Sequence, residues 1–262
     1  MKLHRITAIL IRHLYLYKRS FPRLMDIFYW PIMDLLVWGF FSAYLAGTNL
    51  DDFNVVSVLL GALIFWNLLS QSQKAVSVSF LEDVWEKNLL NIFVTPLRVS
   101  EFLIATSILA IIRIALIITV MGALAIFLYQ FNIFQFGFYL IPFLINLLLF
   151  GSILGIFIMA ILLRYGQQAQ ILAFGFIFLI QPVSAVFYPV SALPTALQYV
   201  AAFIPASYIF EGMRSVVATG SFSFSDLFLA FATNAVYLVL SVVFFYYMFA
   251  RAKRRGSLLK LE

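Results

Sequence analysis

Residues 79–95 carry the first side chains whose types and spacing suggest a chemical role. Glu82, Asp83, Glu86 and Lys87 follow a long apolar run and lie within about two turns of a predicted helix. Carboxylates and an ammonium group at this spacing offer ion pairs and hydrogen bonds to the charged surface of another protein. Neither histidine of the chain lies in this segment, so it contains no Ser–His nucleophile pair.

The pattern around these charges predicts an amphipathic helix. Ser79 followed by Glu82 matches a capping box, which predicts the start of the helix, and Pro96 ends it. Asp83 and Lys87 stand in the favourable order for an ion pair four residues apart. The predicted apolar stripe consists of Leu81, Val84, Trp85, Leu89, Ile92 and Phe93.

This predicted helix is longer than a turn between two membrane spans needs, which favours a role in docking. We predict that its polar side contacts a soluble partner on the cytoplasmic side and that Trp85 anchors it to neighbouring spans. A helix that floats among lipid headgroups without a partner is the alternative. The predicted contact residues are Glu82, Asp83, Glu86, Lys87 and Asn91.

A second group of polar residues lies inside the apolar runs. Insertion of a charged arginine into the middle of a membrane span costs about 2.5–3.5 kcal/mol, so Arg113 should face protein or water. We predict a structural ion pair with Asp34 in the first run; contact with a substrate, or gating, is the alternative. Asn67 and Gln71 lie one helical turn apart and are candidates for a dimer interface or a path through the membrane, because buried amides seek partners on other helices.

Residues 189–215 are apolar but interrupted by three prolines. Pro194 suits the first turn of one helix, and Pro205 ends that helix and permits another. Each piece of about 10 residues covers about 15 Å, half of a bilayer. We predict a re-entrant helical hairpin on the outer side that serves as an external gate, with a purely structural lid as the alternative. The predicted gate residues are Pro194, Pro205, Tyr208, Glu211 and Arg214, of which the last two can pair.

The elements that must position these groups follow from the composition. The 262 residues are 64% hydrophobic and only 11% charged, which predicts an integral membrane protein. Backbone polar groups in hydrocarbon must bond within their own segment, so the spans are helical and the fold class is all-α. Six apolar runs are long enough to cross a bilayer, at 27–46, 55–73, 102–128, 138–163, 171–188 and 227–250.

The distribution of basic residues predicts the orientation of these six spans. Of the 17 lysines and arginines, all but Arg113 and Arg214 fall on one side of the predicted topology. The positive-inside rule therefore places both termini in the cytoplasm. The net charge of +6 reflects this orientation and does not indicate a nucleic-acid partner.

Residues 1–21 are predicted to form an amphipathic helix at the cytoplasmic membrane interface. At about 100° per residue, basic side chains from Lys2 to Arg19 share one face and apolar ones from Leu3 to Tyr17 the opposite face. We expect the basic face to meet lipid headgroups and water. A disordered basic leader is the alternative.

Two other classes of membrane protein are disfavoured. The spans do not contain the catalytic groups that an intramembrane enzyme needs. His4 and His13 both lie in the N-terminal helix, and Asp34 has no second carboxylate within the spans. The chain contains no cysteine, so cysteine metal sites and disulfides are excluded. A secondary carrier without an ATPase is a further alternative, but its broken helices would be expected in both halves of the chain.

Two stretches resemble the permease subunit of type-2 ABC exporters: "LEDVWEKNLLNIFVTPL" after the second run and "FYPVSALPTALQYVAAFIPASYIFEGMR" before the sixth. The resemblance covers essentially the whole chain. In that family the first stretch is similar to the coupling helix that contacts the ATPase, and the second to the external gate helices.

The resemblance implies a dimer of permeases in the cytoplasmic membrane and ATP-driven export of drugs, lipids or lipid-linked glycans. We expect the protein to be bacterial. The chain has no Gly-Lys pair and hence no Walker A phosphate loop, so ATP and Mg²⁺ are expected on a separate ATPase chain. The expected partners are this ATPase, a second permease and membrane lipid. A drug-like or lipid cargo is the leading expectation, with a polysaccharide or glycolipid as the alternative.

Overall fold

The structure is a computed structural model that describes residues 2–46 and 55–255. Ten α-helices form most of this described part of the chain, with three short 3-10 helices at Ile133–Tyr139, Gly166–Ala169 and Val190–Ala192. The α-helices are α1 (Leu3–Arg19), α2 (Phe21–Ala46), α3 (Val55–Trp85), α4 (Leu89–Val94), α5 (Val99–Tyr129), α6 (Leu140–Tyr165), α7 (Gln170–Val183), α8 (Thr195–Ala201), α9 (Pro205–Thr219) and α10 (Phe224–Arg255).

The predicted all-α class is confirmed, but the count of six spans is not. By length and composition, four stretches of the described chain can cross a membrane: Phe21–Leu45, Val99–Tyr129, Ile133–Val183 and Phe224–Arg254. The pair α8 and α9, bent by 99°, would make a fifth span if it counts as one. The stretch Ile133–Val183 contains both α6 and α7, which were predicted as separate spans.

Helix α3 lies at the centre of the bundle. It packs against α2, α5, α6, α7 and α9. The polar side chains of Asn67 and Gln71 are 3% and 1% exposed, so they lie inside the chain and not on an outer surface where a second subunit could meet them. Because protein surrounds α3, it carries polar residues that a lipid-facing helix would not tolerate.

Two glycines bring α6 against this central helix. A Cβ atom built on Gly151 would lie 2.5 Å from the carbonyl oxygen of Leu69, and one on Gly155 would lie 2.6 Å from the Cβ of Val76. Small residues four positions apart let two backbones approach closely, as in membrane helix pairs generally. These glycines therefore determine how closely α3 and α6 pack.

The predicted helix over 79–95 differs from the structure. Helix α3 continues to Trp85, a turn with Lys87 at φ 54° follows, and only Leu89–Val94 forms a separate helix. The predicted capping box at Ser79 is wrong, because its hydroxyl donates to the carbonyl of Val76 inside α3, 3.0 Å away. A serine that bonds its own helix does not begin a new one.

Candidate functional site

Charged side chains from four helices meet at one end of the bundle, which we call the charged end. It is formed by α1, the first turns of α2, the last turn of α3 with the following residue Glu86, and the first half of α5. The sequence predicts that this end lies on the cytoplasmic side. Its members, the charge cluster, are Arg5, Arg12, His13, Arg23, Asp26, Glu82, Asp83, Glu86, Glu101 and Arg113.

Two arginines join α1 and α2 to the end of α3. Arg12 Nη2 lies 2.6 Å from Asp83 Oδ1 and 3.3 Å from Glu86 Oε2. Arg23 Nε lies 3.2 Å from Glu82 Oε1, and its Nη2 lies 2.5 Å from Glu86 Oε1. Each arginine thus binds one buried carboxylate and also Glu86, which is exposed to solvent.

Glu101 joins α1 to the start of α5. Its carboxylate accepts hydrogen bonds from the backbone N–H of Arg98 at 2.9 Å and of Lys2 at 2.8 Å. Arg5 Nη1 lies 3.5 Å from the same carboxylate, and it also donates to the carbonyl of Pro96. The dipole of α5 stabilises the Glu101 carboxylate at the start of this helix. Through its contacts with Lys2 and Arg5, Glu101 holds the N-terminal end of α1 against the start of α5.

Burial alters the protonation of this cluster. It raises the pKa of the Glu82 carboxyl to about 7 against the charge of Arg23, and the pKa of Asp83 to about 6 against the charge of Arg12. It lowers the pKa of His13 to about 3, and the charge of Arg12 acts in the same direction. His13 is therefore neutral near pH 7, while Glu82 is divided between its two forms.

The predicted contact residues separate into a buried and an exposed set. Glu82 and Asp83 are 7% and 0% exposed, so the prediction that they lie on an exposed polar face is wrong. Arg12 of α1 and Arg23 of α2 cover them, and of these two only Arg12 was predicted to face lipid headgroups and water. The exposed members are Glu86, Lys87 and Asn91. The predicted anchor Trp85 is also exposed, and its ring stacks on that of Phe174.

Helix α1 is amphipathic, but the face that packs is only partly the predicted one. Ile6, Ile9 and Tyr17 are buried against the bundle, whereas Leu3 and Leu14, predicted for the same face, are exposed. The alternative of a disordered leader is wrong, since residues 3–19 are helical. Because both ends of α1 contact α5, through Glu101 and Arg113, the helix is fixed along α5.

The predicted partner of Arg113 is wrong. Its Nη2 lies 3.9 Å from Asp26 Oδ2, and its guanidinium lies 5.2 Å from the ring centroid of Tyr17. Asp34 instead interacts with the side chain of Asn67. Asp26 lies one helical turn after Pro22 and two turns nearer the charged end than Asp34. It was not identified from the sequence as a candidate partner of Arg113.

The residues predicted for the external gate meet at the opposite end of the bundle. Arg214 lies 3.3 Å from Glu211, which confirms their pairing, and Arg214 also donates to the carbonyl of Val186. Glu211 accepts from the backbone N–H of Val190. Pro194 precedes α8, Pro205 begins α9, and the Tyr208 hydroxyl donates to the carbonyl of Ala202 at 2.8 Å.

The sequence can now be compared with known families. A family model described as "ABC-2 type transporter" matches residues 5–218, which is most of the chain. The chain belongs to the ABC-2 type transporter family. It is a multi-pass membrane permease of an ABC transporter, a transport subunit without catalytic activity of its own. A search of curated proteins found no match.

The matched region of this ABC-2 permease includes both ends of the bundle described above. It begins at Arg5 of the charge cluster and ends three residues after Ser215, beyond the Glu211–Arg214 pair. Within residues 2–46 and 55–255, no group of three or more histidine and acidic side chains is placed to hold a metal ion.

Proposed function

We propose that this ABC-2 permease exports its substrate as a dimer, driven by two copies of a cytoplasmic ATPase that bind the charged end. The observation that carries the proposal is the double attachment of Glu86. This exposed carboxylate lies within 3.3 Å of Arg12 and within 2.5 Å of Arg23. A displacement of the loop after α3 is therefore transmitted directly to α1 and α2.

The contact surface for the ATPase consists of the exposed side chains of the α3–α5 connection. Glu86, Lys87 and Asn91 are exposed there, while the buried Glu82 and Asp83 transmit force rather than make contact. Trp85 holds the end of α3 against α7 through its contact with Phe174.

A groove beside this surface offers a place for a partner side chain to insert. It has a volume of about 490 Å³ and lies between α1 and α4. Arg5, Arg12, Asn91 and Ile92 are among its lining residues, so it combines positive charge with an apolar floor. An acidic or apolar segment of the ATPase suits this lining.

The opposite end of the bundle acts as the external gate in this mechanism. The Glu211–Arg214 pair binds the segment Val186–Val190 to α9, and Tyr237 of α10 donates to the carbonyl of Phe203 between α8 and α9. Movement of α10 or α9 would therefore displace the whole bent pair. The ATPase holds ATP and Mg²⁺, and closure of its two copies opens a path between the two permeases toward the outer side.

The cargo proposed is a drug-like molecule, a lipid or a lipid-linked molecule, because the described segments between helices are short and add no further domain. A polysaccharide or glycolipid exporter is the alternative within the family. A carrier that works without an ATPase is the alternative outside it. Of these alternatives only the carrier works without an ATPase, so a measured dependence on the ATPase excludes it.

The test is co-purification of the permease with its tagged ATPase. We expect Lys87→Glu combined with Asn91→Glu to abolish co-purification and ATP-dependent transport while leaving membrane insertion unchanged. The matched control for the Lys87 change is Lys18→Glu, the same substitution at an exposed position of α1 outside the groove. Unchanged co-purification of the double variant, or transport by the permease alone, would contradict the proposal.

A further inference from the structure

A second cavity at the charged end has no role in the mechanism above. It has a volume of about 430 Å³, within the range of about 300–1,000 Å³ typical of small-molecule sites. Five helices contribute to its wall: α1, α2, α3, α5 and α7. The lining side chains that matter here are Tyr17, Asp26, Glu82, Trp85, Arg113 and Phe174.

Three polar atoms of this lining are buried and have no hydrogen-bond partner among the described residues. They are the Tyr17 hydroxyl, the Nε of Arg113 and the Oε2 of Glu82. Tyr17 and Glu82 are each 7% exposed, and Arg113 is 4% exposed. A buried polar group without a partner costs about 1–3 kcal/mol, so a ligand that bonds to all three groups would be stabilised in this cavity.

The lining of the cavity contains both basic and acidic side chains. Arg23 and Arg113 face Asp26 and Glu82, and the Arg113–Asp26 distance of 3.9 Å is long for an ion pair. The lining therefore offers unused donors on Tyr17 and Arg113 and an unused carboxylate oxygen on Glu82. A ligand with a single charge would leave one side uncompensated, whereas a ligand that carries both a negative and a positive group satisfies both.

The third feature of the cavity is an aromatic wall. Trp85 and Phe174 stack with ring centroids 6.5 Å apart and planes at 17°. They are 42% and 37% exposed, which is high for large apolar side chains next to buried charges. This wall suits the apolar part of an amphiphile whose polar part occupies the buried end.

We propose that this cavity, the headgroup cavity, binds the headgroup of a zwitterionic phospholipid that carries a primary amine. The phosphate accepts hydrogen bonds from Tyr17 and Arg113, and the ammonium group donates to Glu82 and Asp26. The glycerol and the first acyl carbons lie against Trp85 and Phe174. This binding requires neither the ATPase nor transport, so it stands or falls separately from the proposed function.

The test is lipid binding to the delipidated permease in detergent, measured by native mass spectrometry. We expect phosphatidylethanolamine to bind at least about tenfold more tightly than phosphatidylglycerol, which has no amine, and than soluble phosphoethanolamine, which has no acyl chain. Equal binding of the two lipids would overturn the zwitterionic assignment. Equal binding of soluble phosphoethanolamine would overturn the lipid assignment.

Two variants locate the site. Tyr17→Phe keeps the ring and removes one donor, and Arg113→Gln removes the charge; each should weaken phosphatidylethanolamine binding by about tenfold. Arg19→Gln, at an exposed position of α1, is the matched control and should bind as the original protein does. If Tyr17→Phe, the milder change, binds the lipid as tightly as Arg19→Gln does, the lipid does not occupy this cavity.

Discussion

Arg12 Nη2 lies 2.6 Å from Asp83 Oδ1, and this contact joins the first helix of the chain to the last turn of α3. The two partners differ in exposure: the Arg12 side chain is 26% exposed and that of Asp83 only 1%. The partly solvated guanidinium of Arg12 therefore compensates the charge of the Asp83 carboxylate, which water does not reach. Removal of the arginine side chain affects a buried carboxylate whose nearest compensating charge comes from α1.

We expect Arg12→Ala to lower the free energy of unfolding by about 1–3 kcal/mol, because it leaves Asp83 buried with less compensation. Adding Asp83→Asn should restore part of the loss, since the uncompensated charge is then gone. Thermal unfolding of the purified permease in detergent measures both effects. Lys18→Ala, on the exposed part of α1, is the control, and an equal loss in that variant would contradict the explanation.

The raised pKa of Glu82, about 7, predicts a pH dependence. An unfolded glutamate near 4.5 loses its proton before the folded one, so the folded state binds more protons between about pH 4.5 and pH 7. The contribution of Glu82 to stability is therefore full below pH 4.5 and is lost as the pH rises through 7. His13, with its lowered pKa, acts in the opposite direction between about pH 6.5 and pH 3.

The variant Glu82→Gln separates the effect of Glu82 titration on stability from that of His13 titration. Relative to the original protein, the variant should gain stability as the pH rises from 4.5 to 7, by at most about 1.4 kcal/mol per pH unit. The measurement is the midpoint of thermal unfolding of both proteins across that range. Parallel curves for the two proteins would mean that Glu82 titrates in the folded state as it does in the unfolded chain.

Arg113 provides a test of which carboxylate it pairs with. A double-mutant cycle of Arg113→Ala with Asp26→Ala should show a small coupling, about 0.5–1 kcal/mol, because the contact is 3.9 Å long and Asp26 is 35% exposed. The corresponding cycle with Asp34→Ala should be additive. Unfolding in detergent measures both cycles. A larger coupling to Asp34 than to Asp26 would contradict the observed arrangement.

Gly151 permits the close approach of α6 to α3. Gly151→Ala should lower the free energy of unfolding by about 1–3 kcal/mol, because the added methyl group would lie 2.5 Å from a backbone carbonyl that cannot move aside. Gly122→Ala is the matched control, since no atom lies within 4 Å of its added methyl group. Similar unfolding temperatures for the two variants would show that the contact with α3 is not limiting.

The sequence predicted the helices more reliably than their relations. Each of the six predicted spans coincides with a helix, because an apolar run in a membrane protein must bond its own backbone. The Glu211–Arg214 pair was also predictable, since residues three apart on a helix are neighbours. Both results depend only on residues close together in the chain. The predicted 79–95 helix used equally local patterns, yet long-range packing keeps α3 continuous to Trp85.

Composition, hydropathy and local motifs thus determined the helical class, the membrane environment, the break at Pro194–Pro205 and the resemblance that the family match confirmed. Only the tertiary structure decided the partners of the charged residues at the charged end. Asp83 was predicted to face solvent, and Arg113 to pair with Asp34. The interaction between two charges weakens with their distance in space, which their distance along the chain does not give. Helix packing brings Arg12 to Asp83 and Arg113 to Asp26.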